Sequence, residues 1–167
     1  DGVADAVAVP NSPLFQLENE LTVEAWFRLD SIAGRREIVS MVSTGVGAAG
    51  FSLGTSDDSL TAVFMDAEHN AWTLTWGTLV TGEWIHAAAT YEAGGVLAGY
   101  IGGRRAAQQA AGALPLNPCD SNLVIGAATA LDGGFLDGRV AEVRVWSAAR
   151  TAGEIGGLWL SRLQGTE

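Results

Sequence analysis

The chain has 167 residues, 48% hydrophobic and only 17% charged, with a formal net charge of −10; this size and composition suit a single globular domain and exclude intrinsic disorder. All nine basic residues are Arg, scattered apart from Arg35-Arg36 and Arg104-Arg105, so no basic patch is available for nucleic acid or an anionic membrane surface. No apolar run approaches the roughly 18 residues that cross a bilayer, and no membrane insertion is expected.

The first residues show no basic start followed by an apolar core, so any signal peptide is expected to have been removed or to lie elsewhere. From Val3 to Val9 apolar residues alternate. Leu21, Val23, Ala25, Phe27 and Leu29 then point one way, while Thr22, Glu24, Trp26, Arg28 and Asp30 point the other. Period two over nine residues is a strand with one buried face. Ile38 to Val42 and Leu60 to Phe64 repeat the pattern, with a loop expected at Asp57-Asp58-Ser59. Trp84 to Tyr91 reads as a strand carrying the small Ala87, Ala88 and Ala89, which permits close packing of sheets. Ala93-Gly94-Gly95 turns the chain into a strand over Val96–Ile101, Gly102-Gly103 begins the next reversal, and Asp132-Gly133-Gly134 is loop-like. The lone Cys119 allows no intrachain disulfide and is expected to be a small buried apolar residue. Near the end, Thr151 and Glu154 have capping-box spacing, with Ile155, Leu158 and Trp159 on one helical face. Gly156-Gly157 keeps that helix short.

Many short strands, frequent turns and one terminal helix imply an all-β sandwich. The order of the segments carries a resemblance. Asp1-Gly2-Val3 through Val9-Pro10-Asn11-Ser12 is similar to the opening of laminin G-like jelly-roll domains of the concanavalin A-like lectin/glucanase superfamily. Thr22-Val23-Glu24-Ala25-Trp26 resembles their "TVEAW" strand, and Trp84–Tyr91 their "WxHVAATY" strand. Tyr100-Ile101-Gly102-Gly103 resembles "YVNG", and Gly138–Trp146 resembles "GxIDEVRIW". The resemblance implies a two-sheet antiparallel jelly-roll sandwich over residues 1–167, with one short C-terminal helix. It also implies a non-catalytic recognition or adhesion module of a larger secreted or cell-surface protein, binding a glycan or a protein surface. The alternatives are a structural spacer, or a self-associating interaction domain with no small ligand.

Related glucanases carry carboxylates clustered as Glu-x-Asp-x-x-Glu on one strand. Here no Glu has an Asp two positions later. The two-apart pairs Glu18/Glu20 and Asp66/Glu68 fall in polar segments and read as solvated loop charges, so no catalytic residues and no enzyme activity are expected. His69 and His86 have no nucleophile beside them, and His86 reads as structural. The resemblance implies a structural calcium ion, but Ala4 and Ala141 stand where it would supply Asp. No cofactor is therefore expected, although Asp1, Asp5 and Asp137 remain as weak candidate ligands. A carbohydrate site needs a flat ring with polar groups at its rim. Asp66, Glu68, His69 and Asn70, followed by Trp72 and Trp76 four apart on one strand face, are the local candidates. Glu24, Trp26, Glu142, Arg144 and Trp146 form a packing constellation in which Arg144 is expected to bridge Glu24 and Glu142.

Overall fold

The computed structural model describes residues 2–159. Its strands are β1 (Val7–Val9), β2 (Glu20–Leu29), β3 (Arg35–Ser43), β4 (Ala49–Ser56), β5 (Ser59–Met65), β6 (Ala71–Trp76), β7 (Trp84–Glu92), β8 (Val96–Ile101), β9 (Arg104–Ala110), β10 (Leu123–Ile125) and β11 (Gly138–Trp146), followed by helix α1 (Ala152–Leu158). Two antiparallel sheets form, ordered β1-β10-β3-β4-β5-β6 and β11-β2-β7-β8-β9. This is the jelly-roll sandwich with a short C-terminal helix that the resemblance implies.

The period-two reading of β2 is literal. Leu21, Val23, Ala25, Phe27 and Leu29 are all fully buried in the core between the sheets. Opposite them, Phe51 and Leu53 of β4 and Leu60, Ala62 and Phe64 of β5 come from the other sheet. Small residues on β7 and β8 set the spacing: the Trp76 indole lies so close to Gly99 that a Cβ there would be 2.5 Å from the ring. Cys119 is 2% exposed within this core, as expected of a lone thiol.

Two segments depart from simple alternation. On β3 a register shift between Glu37 and Val39 lets both Ile38 and Val39 enter the core; a bulge of this kind gives two residues where the partner strand has one. At the N-terminus, alternation from Val3 becomes a strand only at Val7–Val9, because β1 is the edge of its sheet and pairs solely with the three-residue β10. Val3 and Val7 consequently stay exposed.

Helix α1 carries the expected capping box: the Glu154 amide donates to Thr151 Oγ1, and the Thr151 amide donates to the Glu154 carboxylate. Ile155 packs on Ala88, Ala98 and Tyr100, on the outer face of the five-stranded sheet. Removing the hydroxyl by Thr151→Ala is expected to cost about 1 kcal/mol, the usual loss for such a cap, and to lower Tm by about 2–4 °C in a thermal melt. An unchanged Tm would show that the helix does not contribute to global stability.

Candidate functional site

The turn between β5 and β6 organises around Asp66. Its carboxylate accepts hydrogen bonds from the amides of Glu68 and Asn70 (both 2.9 Å), from Asn70 Nδ2, and from Trp72 Nε1 at 2.9 Å. Asp66 is only 1% exposed, which corrects the reading of it as a solvated loop charge. Glu68, His69 and Asn70 are exposed around it. His69 adopts φ 67°, and its Nδ1 lies 3.0 Å from both Ala48 O and Asn117 Nδ2. Glu18 and Glu20 are exposed.

Trp72 and Trp76 do share one face of β6, and that face turns inward. Trp76 is buried against Gly99 and donates to Tyr100 O at 3.4 Å. Trp72 is half-buried, its ring against Gly112 and its N–H committed to Asp66. Trp76 is therefore unable to serve as the exposed stacking platform that the sequence suggested. The polar groups of the turn remain accessible without it.

The packing constellation assembles as its register requires. Arg144 stands opposite Glu24 in the β11–β2 ladder and lies 3.6 Å from Glu24 and 3.3 Å from Glu142. Trp146 Nε1 donates to Glu24 Oε1 at 2.9 Å, and His86 Nε2 meets Glu24 Oε2 at 3.1 Å. Trp26 stacks on Trp159 with ring centroids 5.4 Å apart and donates to its carbonyl. Glu24 and His86 are each 2% exposed, so the centre of this cluster is closed to a ligand. His86 is structural, as its sequence setting indicated.

An accessible concavity lies elsewhere, on the outer face of the six-stranded sheet. Residues 126–136 fold back over β3: the Glu37 amide donates to Gly134 O, the Gly126 amide to Ile38 O, and the Val42 amide to Thr129 Oγ1. Ser40 and Thr129 share a hydroxyl hydrogen bond of 2.8 Å. Between this segment and the strands lies a groove of about 480 Å³, bordered by Arg35, Glu37, Ser52, Thr73, Thr129 and Asp132. That volume falls within the ~300–1,000 Å³ usual for ligand sites. Glu37 is 5% exposed. Arg35 binds its Oε1 through two nitrogens, each 2.7 Å away, while Oε2 is buried without a well-formed hydrogen bond. Burial pushes the Glu37 carboxyl above its ordinary value, and Arg35 and the nearby Ser52 hydroxyl offset this only in part.

The sequence reading did not single out Glu37. The available signal was polar residues at the start of an otherwise apolar strand, Arg35 and Glu37, both placed on one face. The roof supplied by residues 126–136 had no local signal beyond a loop-like Asp132-Gly133-Gly134.

Calcium fits poorly. Among the described residues no group of three His, Cys, Asp or Glu side chains could hold a metal ion. Asp5 is exposed, Asp137 lies against Gly2, and Asp1 is outside the described residues. Among the described residues, no helix is long and apolar enough to cross a membrane.

Comparisons with known proteins agree with the architecture. The binding domain of Paraclostridial Mosquitocidal Protein 1 superposes with TM-score 0.75 at 12% identity, over 92% of this chain and 40% of that one. The Botulinum neurotoxin serotype G binding domain gives 0.72 at 10% identity, over 93% and 44%. The chain thus spans less than half the length of these toxin domains. The CBM40 of Ruminococcus gnavus IT-sialidase, solved bound to alpha2,3 sialyllactose, gives 0.71 at 12% identity over 94% of both chains. Nothing among curated proteins matches. A family model described as the concanavalin A-like lectin/glucanases superfamily, Laminin_G_3, matches residues 1–156. With its paired antiparallel sheets and the motif order from the first strand to the capped helix, the chain belongs to the laminin G-like family of that superfamily.

Proposed function

We infer that the chain is a non-catalytic recognition module that binds carbohydrate in the groove of the six-stranded sheet, outside the cell, as one domain of a larger protein. The observation that carries this reading is the roofed groove with a buried carboxylate at its wall. Hydroxyls and charges border it, the mixture that meets the ring of hydroxyls on a pyranose. The likeness to binding domains, one of them solved with a sialylated sugar, supports the same class of function. The exposed Glu68, His69 and Asn70 form a rim contact, since Met65 at the start of their turn also borders the groove.

The test is a glycan array followed by calorimetry on the wild type and on Thr73→Trp. Thr73 is exposed on β6 at the groove, so an indole there fills the space without entering the core. Its binding is expected to fall at least about tenfold, a loss of about 1.4 kcal/mol, with Tm unchanged. A folded wild type that is silent across the array overturns the sugar reading and leaves the spacer role.

A further inference from the structure

We propose that the ligand is an uncharged oligosaccharide chain lying across two adjoining concavities, the groove and a second one beside residues 120–122; this rests on the groove being the carbohydrate site. The second concavity, of about 510 Å³, is bordered by Ser43, Thr44, Asp120, Ser121 and Asn122. It shares Val42, Thr44, Thr129 and Ala130 with the groove, so the two adjoin along one wall. Thr129 holds that wall to β3 through the Val42 amide and the Ser40 hydroxyl. Thr44 and Ala130 are exposed and short. A chain leaving the groove therefore crosses small side chains and meets hydroxyls, a carboxylate and a carboxamide beyond them. The Asn11 amide donates to Asn122 Oδ1 at 3.2 Å and holds that carboxamide in place.

The missing rings explain why length matters. Among the described residues, no aromatic side chain borders either concavity, so no flat platform grips a single pyranose. Polar contacts exchanged with water contribute little net each, and affinity has to accumulate over several sugar units. One covalent chain in both concavities achieves this, because the second contact becomes intramolecular once the first has formed. Charge sets the class of sugar. Among the described residues, Arg35 is the one cation bordering either concavity, and Glu37 already neutralises it through two nitrogens. Asp132 borders the groove and Asp120 the second concavity, both exposed. The four groups carry a formal charge of −2 (one cation, three anions) within a chain of net charge −10. A uronic, sialic or sulfated sugar would meet repulsion along this path. Hydroxyls of a neutral chain can instead donate to the two aspartates.

A length series tests the proposal. An array carries glucose, galactose, mannose and xylose oligomers from monomer to hexamer, each with and without a terminal uronic acid. Calorimetry follows on the strongest ligand series, with Thr73→Trp filling the groove and Asp120→Trp the second concavity. Both positions are exposed, so neither indole enters the core, and thermal melts check each fold. Wild type is expected to bind a neutral tetramer at least about tenfold more tightly than the dimer of the same linkage. Asp120→Trp is expected to reduce the tetramer to the affinity of the dimer while leaving the dimer unchanged; Thr73→Trp is expected to weaken both. If dimer and tetramer bind wild type alike, or Asp120→Trp binds the tetramer as wild type does or better, the second concavity is idle. The proposal is then overturned, while a loss in Thr73→Trp keeps the groove as the site. Tighter binding of the acid-bearing counterparts overturns it equally. If Thr73→Trp changes nothing, or folded wild type is silent across the array, the groove reading falls as well.

Discussion

Glu24→Ala is expected to lower the unfolding free energy by about 3–5 kcal/mol, the usual cost of removing one member of a buried ion pair. At about 2–4 °C per kcal/mol for a chain of this size, Tm should fall by roughly 6–20 °C. The carboxylate sits beneath the C-terminal segment and serves His86, Arg144 and Trp146 at once. Truncation leaves the 7%-exposed Arg144 guanidinium without its buried counter-charge. Glu24→Gln retains an oxygen for the Trp146 indole and nearly the same volume, so its loss should be smaller. Burial pushes the Glu24 carboxyl up, but hydrogen bonds from His86 and Trp146, with the charges of His86 and Arg144, outweigh it and hold the group below its ordinary 4.5. A lowered folded value means that this contribution is fully present above the unfolded value and is lost as pH falls through the folded one. Melts of wild type and Glu24→Gln should therefore begin to approach one another below pH 4.5 and meet only once the pH has passed the lowered folded value. Parallel curves across that range would show that the ionised carboxylate contributes nothing.

The sandwich was legible because its strands obey a rule with one variable. Leu21 to Leu29 alternate and all five apolar members are buried; Ala93-Gly94-Gly95 turns where a hairpin needs it; Thr151 and Glu154 cap the helix three residues apart. Arg144 bridging Glu24 and Glu142 was legible for the same reason, since strand neighbours on one face must meet. Alternation tells which residues share a face, but not which face is inside. Trp72 and Trp76 were correctly paired and wrongly turned outward, the decision being made by Gly99 and Gly112 on distant strands and loops. The groove was illegible for a related reason. Its roof depends on Thr129 receiving the Val42 amide across 87 positions of sequence, and its carboxylate, Glu37, has no second acid nearby in the chain to attract notice. A single acid paired with an Arg two residues away carries none of the paired-carboxylate spacing that marks a catalytic site.

The second large effect concerns the turn that carries the exposed Glu68, His69 and Asn70. Asp66→Ala is expected to destabilise the protein by about 3 kcal/mol, since each buried donor left unmet costs about 1–3 kcal/mol and Trp72 Nε1 is among them. Asp66 also ties the turn to the segment beneath it through a bridge with Leu116. Burial pushes its carboxyl up, but donors on Trp72, Asn70 and Glu68 more than reverse this and hold it below 3.8. The sign is again that of an acid lowered on folding: the contribution is present above the unfolded value and disappears as pH falls through the folded one. Asp66→Asn separates charge from shape. Its amide turns a donor toward groups that are donors already, so it should recover less than half of the loss. Tryptophan emission follows the event directly, because Trp72 loses the carboxylate that holds its N–H and its half-buried ring meets more water. An emission maximum unchanged in Asp66→Ala, together with wild-type stability, would mean that the turn holds its shape through the backbone alone. In that event the rim contacts would not depend on this carboxylate.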